Sequence, residues 1–342
     1  MESMVKALDS LGLHKMLAAL ASIFLFGVLN PAAGQAASPT RDLDAGIKLL
    51  NERKIDQAIK VLKEVTAANQ SDPEGWYYLG VAYVQCNDFK KASKSLETAI
   101  SLKTDFSEAL TAFSYALLRR GLLAQARIEA ERALRIQAVN PDAHYTLGII
   151  EFRSGSRDKA AAHASQAIKQ RPEFAEAYLL KGQVLGFFTD PIFQGREENR
   201  ERRRAQYQEA AEALEKYVLL APKAENNELW KEQAETLRYF IAHTSDDIRT
   251  GREVSTKAKL LSKPEPIYTN EARQSLITGT VVLRVVFASD GLVKHLLVVH
   301  GLLGGLTEQA LRAAKRIKFV PATVDGKAVS MWMQLEYNFN LY

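Results

Sequence analysis

"WYYLGVAYVQCNDFKKASKSL", residues 76–96, decides the fold. Trp76, Leu79, Gly80 and Tyr83 fall at the i, i+3, i+4, i+7 spacing of one helix face. Asn87 and Asp88 break that period, and Ala92 and Leu96 open a second helical stripe. Moving outward, Gly80 belongs to a column with Gly46, Ser114, Gly148 and Gly182, each 34 residues from the next. Ala58, Ala92, Ala126 and Ala160 keep the same step, as do Leu62, Leu96, Ala130 and Ala164, and Val65, Ala99, Ala133 and Ala167. The small residues let two antiparallel helices approach closely, while larger apolar residues fill the gaps. Pro73, Pro141, Pro172 and Pro222 stand between helix pairs, where proline opens a helix but does not continue one.

The pattern Trp76-x-x-Leu79-Gly80-x-x-Tyr83 followed by Ala92-x-x-x-Leu96 resembles the tetratricopeptide repeat. The resemblance covers residues 41–243: about five repeats, with 229–242 as a closing amphipathic helix. It implies an all-α solenoid whose concave surface takes a peptide or another protein. One repeat is interrupted. Gly182 lies 28 residues before Ala210, where Gly80 lies 12 before Ala92, which places an insertion near 187–204. Asp190-Pro191 and Gly195 mark a loop, and Arg196, Arg200, Arg202, Arg203 and Arg204 follow, mixed with Glu197, Glu198 and Glu201. The mixture suits a solvated extension of the next helix; the other reading is a basic patch for an acidic partner.

The chain has 342 residues, 47% apolar and 25% charged, with a net charge of +5. The charge is mild and interspersed and gives no sign of a nucleic-acid partner. Cys86 is the only cysteine, which excludes an internal disulfide and a multi-cysteine metal site. Lys6, His14 and Lys15 precede the apolar run "MLAALASIFLFGVL", residues 16–29, and small residues follow. This fits a leader over residues 1–37, either a secretory signal cut near Ala36 or Ala37 or an inner-membrane anchor at 16–33. Either form implies export, with the periplasm as the expected compartment.

Residues 244–263 are polar without an apolar period and read as a linker. Residues 264–342 read as a separate unit. Val281, Leu283, Val285 and Phe287 share one face of a strand, Asp290-Gly291 supplies a hairpin turn, and 292–300 return. Residues 306–317 form an amphipathic helix. A last strand alternates Val329, Met331, Met333, Leu335 and Tyr337 against Ser330, Trp332, Gln334 and Glu336. Strand, strand, helix, strand gives a small α+β unit, an antiparallel sheet with a helix on one face.

This segment resembles the C-terminal domain of the TonB family. The matching residues are Pro266-x-Tyr268, Ala272-Arg273, Gly279-x-Val281, Asp290-Gly291-x-Val293, Leu306, Ala310, Phe319-x-Pro321-Ala322 and Asp325-Gly326. Thr269 departs from the family, which usually has proline there. The resemblance implies a periplasmic domain that binds an extended segment of an outer-membrane transporter and couples it to inner-membrane motor proteins. Physically that is strand addition at a free sheet edge. By resemblance the edge is the last strand, with Val329, Ser330, Met331, Trp332, Met333, Gln334, Leu335 and Glu336 as the candidate site. The same edge can pair with a second copy to form a homodimer. Trp332 has two readings, contact with a bound peptide or packing on a helix or the solenoid. The segment before the domain holds only Pro264 and Pro266, not the long proline-rich spacer that energy transduction across the periplasm requires.

No His-Glu-x-x-His, Gly-x-Ser-x-Gly or phosphate-binding glycine loop is present. His144, His163, His243, His295 and His300 read as isolated surface or packing residues, with His295 and His300 on opposite strand faces. The expectation is a multi-domain, non-enzymatic adaptor or scaffold without a cofactor. An anchored TonB-like transducer is the alternative, and an enzyme of unseen mechanism the third reading.

Overall fold

The computed structural model describes residues 39–187, 197–242 and 248–341. The leader at 1–37 and the loop part of the insertion lie outside the described residues. The described residues divide into two compact units, those from 39 to 154 with 162–174, and those from 155 to 161 with the described residues from 175 onward.

The first unit is built of helical pairs. They are α1 (Pro39–Asn51) with α2 (Ile55–Ala68), α3 (Pro73–Gln85) with α4 (Phe89–Leu102), and α5 (Ser107–Arg119) with α6 (Leu123–Ile136). Next come α7 (Pro141–Arg153) and α8 (Arg157–Gln170), whose first residues belong to the second unit. The helix starts follow from side-chain chemistry. Asp72 accepts from the Glu74 N–H at 3.0 Å and Asn140 from the Ala143 N–H at 2.9 Å, each just before a proline in the first turn. The turns within pairs form a further column. Arg53, Asn87, Gly121 and Gly155, again 34 apart, all hold positive φ between 60° and 81°. That conformation suits Gly and Asn and costs an arginine strain.

The repeat-packing columns meet face to face. A Cβ added at Gly46 would lie 2.6 Å from Leu62, and one at Gly80 2.5 Å from Leu96. In the third repeat the two columns hold Ser114 and Ala130 instead, and the Ser114 hydroxyl donates to the Ala126 carbonyl at 2.9 Å. Ala58, Ala92, Ala126 and Ala160 are fully buried, and Gly148 is buried.

The second unit continues with α9 (Ala175–Gly186), α10 (Glu197–Leu220) and α11 (Asn227–Ala242). Gly182 faces Leu214, 2.5 Å from an added Cβ, so the repeat resumes in the second half of α10. The Arg- and Glu-rich run from residue 197 is an N-terminal extension of that same helix, with Arg202 and Arg204 exposed. The described part of the insertion is therefore helical extension.

The C-terminal domain packs a three-stranded antiparallel sheet in the order β3 (Val293–His300), β2 (Gly279–Phe287), β7 (Met331–Phe339). Two short ribbons flank it, β1 (Lys259–Ser262) with β4 (Lys318–Val320) and β5 (Ala322–Val324) with β6 (Lys327–Val329). A short helix α12 (Asn270–Gln274) precedes β2, capped by Thr269, whose Oγ1 accepts from the Ala272 N–H at 3.1 Å. One face of the sheet is apolar: Val281, Leu283, Val285 and Phe287 lie beside Met331, Leu335, Tyr337 and Phe339. This face packs on α13 (Leu306–Lys315).

Three expectations change here. The polar stretch 244–263 is not an open linker where it is described: Arg249 bridges to Met331, Thr256 bridges to Thr323, and β1 pairs with β4. Backbone pairing holds it, and pairing leaves no apolar period in the sequence. The last strand is not one run from Val329, because Val329 pairs with Ala322 in the β5–β6 ribbon and β7 starts at Met331. Finally, α11 covers the second sheet face, so the last solenoid helices and the C-terminal domain form one compact unit.

Candidate functional site

The site begins with β7, the edge strand. Its inner side pairs with β2 without a bulge, from Gly279 opposite Phe339 to Phe287 opposite Met331. Its outer side can be read from three bonds. The Ser330 carbonyl accepts from the Arg249 N–H at 3.1 Å, the Trp332 N–H donates to the Arg249 carbonyl at 3.0 Å, and the Glu336 carbonyl accepts from Lys263 Nζ at 2.7 Å. In a strand, both backbone groups of a residue point to one side and successive residues alternate. The outward-facing positions are therefore Ser330, Trp332, Gln334, Glu336 and Asn338. Among the described residues no strand pairs with this edge beyond Trp332.

The two sheet faces flanking the edge differ in chemistry. On the α13 face, Leu335 and Tyr337 are buried and Lys263 Nζ sits 4.6 Å from the Tyr337 ring centroid. Burial, with Glu265 adding to it, pushes the Tyr337 hydroxyl up to about 12, while Arg316 acts the other way. On the opposite face, Gln334, Glu336 and Asn338 are exposed. Gln334 Nε2 donates to Glu336 Oε1 at 2.9 Å and Thr280 Oγ1 donates to Asn338 Oδ1 at 2.7 Å.

Trp332 takes the packing role. It stacks on Phe240 of α11 with ring centroids 5.3 Å apart, under the Arg284 guanidinium at 4.8 Å. With Ile248, Val286 and Ala288 it forms a small buried cluster against Tyr239 and Phe240. His295 stacks on Tyr239 at 3.7 Å, and Gln233 Nε2 donates to the Leu296 carbonyl at 2.9 Å. Lys315 bonds Glu232, and Arg312 bonds Asn226.

The histidines correct the sequence reading twice. His295 has a φ of 46° at a register shift, and a second shift precedes His300, which pairs with Val282. The extra residues change the parity, so both histidines face the helical side, His295 on Tyr239 and His300 beside Arg157. His144 and His163 are not isolated: their Nδ1 atoms lie 3.1 Å apart. Burial first, and His163 second, hold the His144 imidazole below its ordinary value. Among the described residues no group of three or more His, Cys, Asp or Glu is placed to hold a metal ion, and no helix is long and apolar enough to cross a membrane.

Of the eight site residues named from sequence, Val329 leaves the edge for the ribbon, and Ser330 and Trp332 meet Arg249. Met331, Met333 and Leu335 point their backbone groups at β2. Gln334 and Glu336 remain outward, joined by Asn338. Arg249 and Lys263 escaped the sequence reading, although a lysine near a sheet edge is a usual guard against unwanted pairing.

Paired helices on a 34-residue step, carrying a small sheet with an unpaired edge, define a class: a protein-interaction scaffold. Residues 264–341 match the family model "Gram-negative bacterial TonB protein C-terminal", and residues 49–114 and 145–185 match two tetratricopeptide-repeat models. The chain thus joins tetratricopeptide repeats to a TonB-type C-terminal domain. It is 27% identical over 165 residues to the BBSome complex member BBS4 of Bos taurus, covering 48% of this chain and 31% of that protein. The chain thus spans about a third of the length of this curated relative. Among solved structures, the APC/C hetero-tetramer Cut9-Hcn1 shares the fold, with a TM-score of 0.51 at 15% identity over 70% of this chain and 41% of that one. MamA aligns at 25% identity and a TM-score of 0.40 over 52% of this chain and 95% of its own.

Proposed function

We propose that this chain is an exported adaptor of the cell envelope, working in the periplasm without chemistry of its own. The repeats hold one protein partner. The outer edge of β7 takes an extended peptide by strand addition, and a segment of an outer-membrane transporter is the guest that the TonB-type domain favours. The observation that carries this reading is the edge itself: Gln334 and Asn338 present backbone donors and acceptors that no described strand pairs. Backbone bonding gives such a site affinity with little demand on side chains.

The alternative is an anchored energy transducer, favoured by the domain match at 264–341 and by the apolar run at 16–29. The adaptor is preferred because only residues 243–247 separate α11 from the first residue that packs with the domain. A sheet packed on the closing helix has no extended reach across an envelope.

The test is amide hydrogen exchange on the full chain, with and without peptides copied from the host's transporter segments. Slowed exchange at Gln334 and Asn338 supports strand addition. Unchanged exchange there, with every peptide, refutes it. Intact mass of the native protein separates the two versions: loss of residues 1–36 fits the adaptor, and retention at the inner membrane fits the transducer.

A further inference from the structure

The outer edge of β7 is not bare along its length. Residues 248–263 pair mainly with β5 and β4, and they reach the β7 edge near both of its ends. Near its start, Arg249 uses both of its backbone groups, bonding the Ser330 carbonyl and the Trp332 N–H as a parallel partner. The Ala258 N–H then meets Met331 Sδ at 3.3 Å. Further along, the Lys263 ammonium occupies the Glu336 carbonyl and lies over the Tyr337 ring. Between these contacts the outward groups of Gln334 are left over, and Asn338 lies beyond them.

We infer that the segment 248–263 is a built-in strap on the docking edge, and that Lys263 is the residue a guest strand must displace. The inference rests on the strand-addition reading above. A strand laid along Gln334 to Asn338 needs the Glu336 carbonyl for its own N–H, because outward acceptors recur at every second residue and Glu336 is the middle one. Lys263 holds that acceptor with a charged donor from an exposed position, so it can leave without disturbing a core. Arg249 sets the other limit: a guest cannot extend past Gln334 toward Ser330 while Arg249 stays paired. The strap therefore fixes the register of the guest, and it protects the edge from pairing with other copies when no guest is present.

The experiment uses the full chain and a fluorescein-labelled peptide, Thr-Val-Thr-Asn-Thr-Val-Thr, which is uncharged and alternates like a strand. Fluorescence anisotropy gives its affinity for the wild type, for Lys263→Ala and for Arg249→Pro. Lys263→Ala is expected to bind about three- to tenfold tighter, the scale of one exposed charged hydrogen bond lost from the competing state. Arg249→Pro removes the N–H that holds Ser330 and lets a longer guest pair, so it also binds tighter. If Arg249→Pro fails to fold, Lys263→Ala alone decides, its side chain being exposed. A second readout needs no guest. Sedimentation velocity should show more self-association for Lys263→Ala than for the wild type at equal concentration. Equal or weaker binding by Lys263→Ala, with measurable wild-type binding, overturns the strap and leaves strand addition standing. Binding by none of the three chains to this peptide or to transporter-derived ones overturns both.

Discussion

Replacing Gly80 with alanine tests the packing that defines the repeats. The added Cβ would sit 2.5 Å from Leu96 Cγ and 2.8 Å from Leu96 Cδ2, where ordinary contact is 3.4–4 Å. Helix α3 must retreat from α4 by about 1 Å, or Leu96 must leave its rotamer, and Leu96 is fully buried. Such overpacking costs about 1–3 kcal/mol. Alanine's better helix propensity returns about 1 kcal/mol. The expected net loss is therefore about 0–2 kcal/mol. Leu96→Ala alone leaves a cavity and costs about 2–5 kcal/mol. In the double variant the new methyl group occupies space that the leucine vacated, so the two effects should fall short of their sum by about 1 kcal/mol or more. Urea denaturation followed by helical circular dichroism, compared at the midpoints, reads all four proteins. Strictly additive singles, or a Gly80→Ala variant clearly more stable than the wild type, would refute the reasoning.

Trp332→Ala should cost about 3–5 kcal/mol, the range for emptying a buried aromatic site, and should speed proteolytic cleavage after Arg249 and Lys257 by freeing the sheet from α11. Wild-type cleavage rates there would argue that Phe240 and Tyr239 hold the sheet without it. Burial, with Glu271 adding to it, raises the Glu308 carboxyl from 4.5 to about 7. A raised acid favours the folded state fully below its unfolded value near 4.5, and that advantage is lost as pH rises through about 7. Stability should therefore fall between pH 5 and 8 by up to about 3 kcal/mol, and Glu308→Gln should flatten the profile. Thermal melts of both proteins across that range make the comparison, and an unchanged slope in the variant would show that another group sets it.

The repeats were legible because their signal is written in position. Gly80 opposite Leu96 is a size match between two side chains, and its recurrence at Gly46 with Leu62 repeats that match along the chain. The turn column from Arg53 to Gly155 was legible in part through Asn87, Gly121 and Gly155, but an arginine in left-handed conformation gives no local sign. Strands β2 and β7 were legible from alternation. The strap was not, since Arg249 joins the edge through backbone atoms alone and any residue supplies those.

The sequence by itself determined the helical pairs, their 34-residue period, the succession β2, β3, α13, β7 in the C-terminal domain, and the face of β2 that is buried. Each of these follows from side-chain size or apolarity repeating at the period of a helix or a strand. Only the tertiary structure decided that α11 covers the second sheet face, that Trp332 packs on Phe240, and that Arg249 and Lys263 bond to the edge of β7. Those outcomes depend on single pairings between distant segments. A single pairing has no period, so nothing in the order of residues announces it.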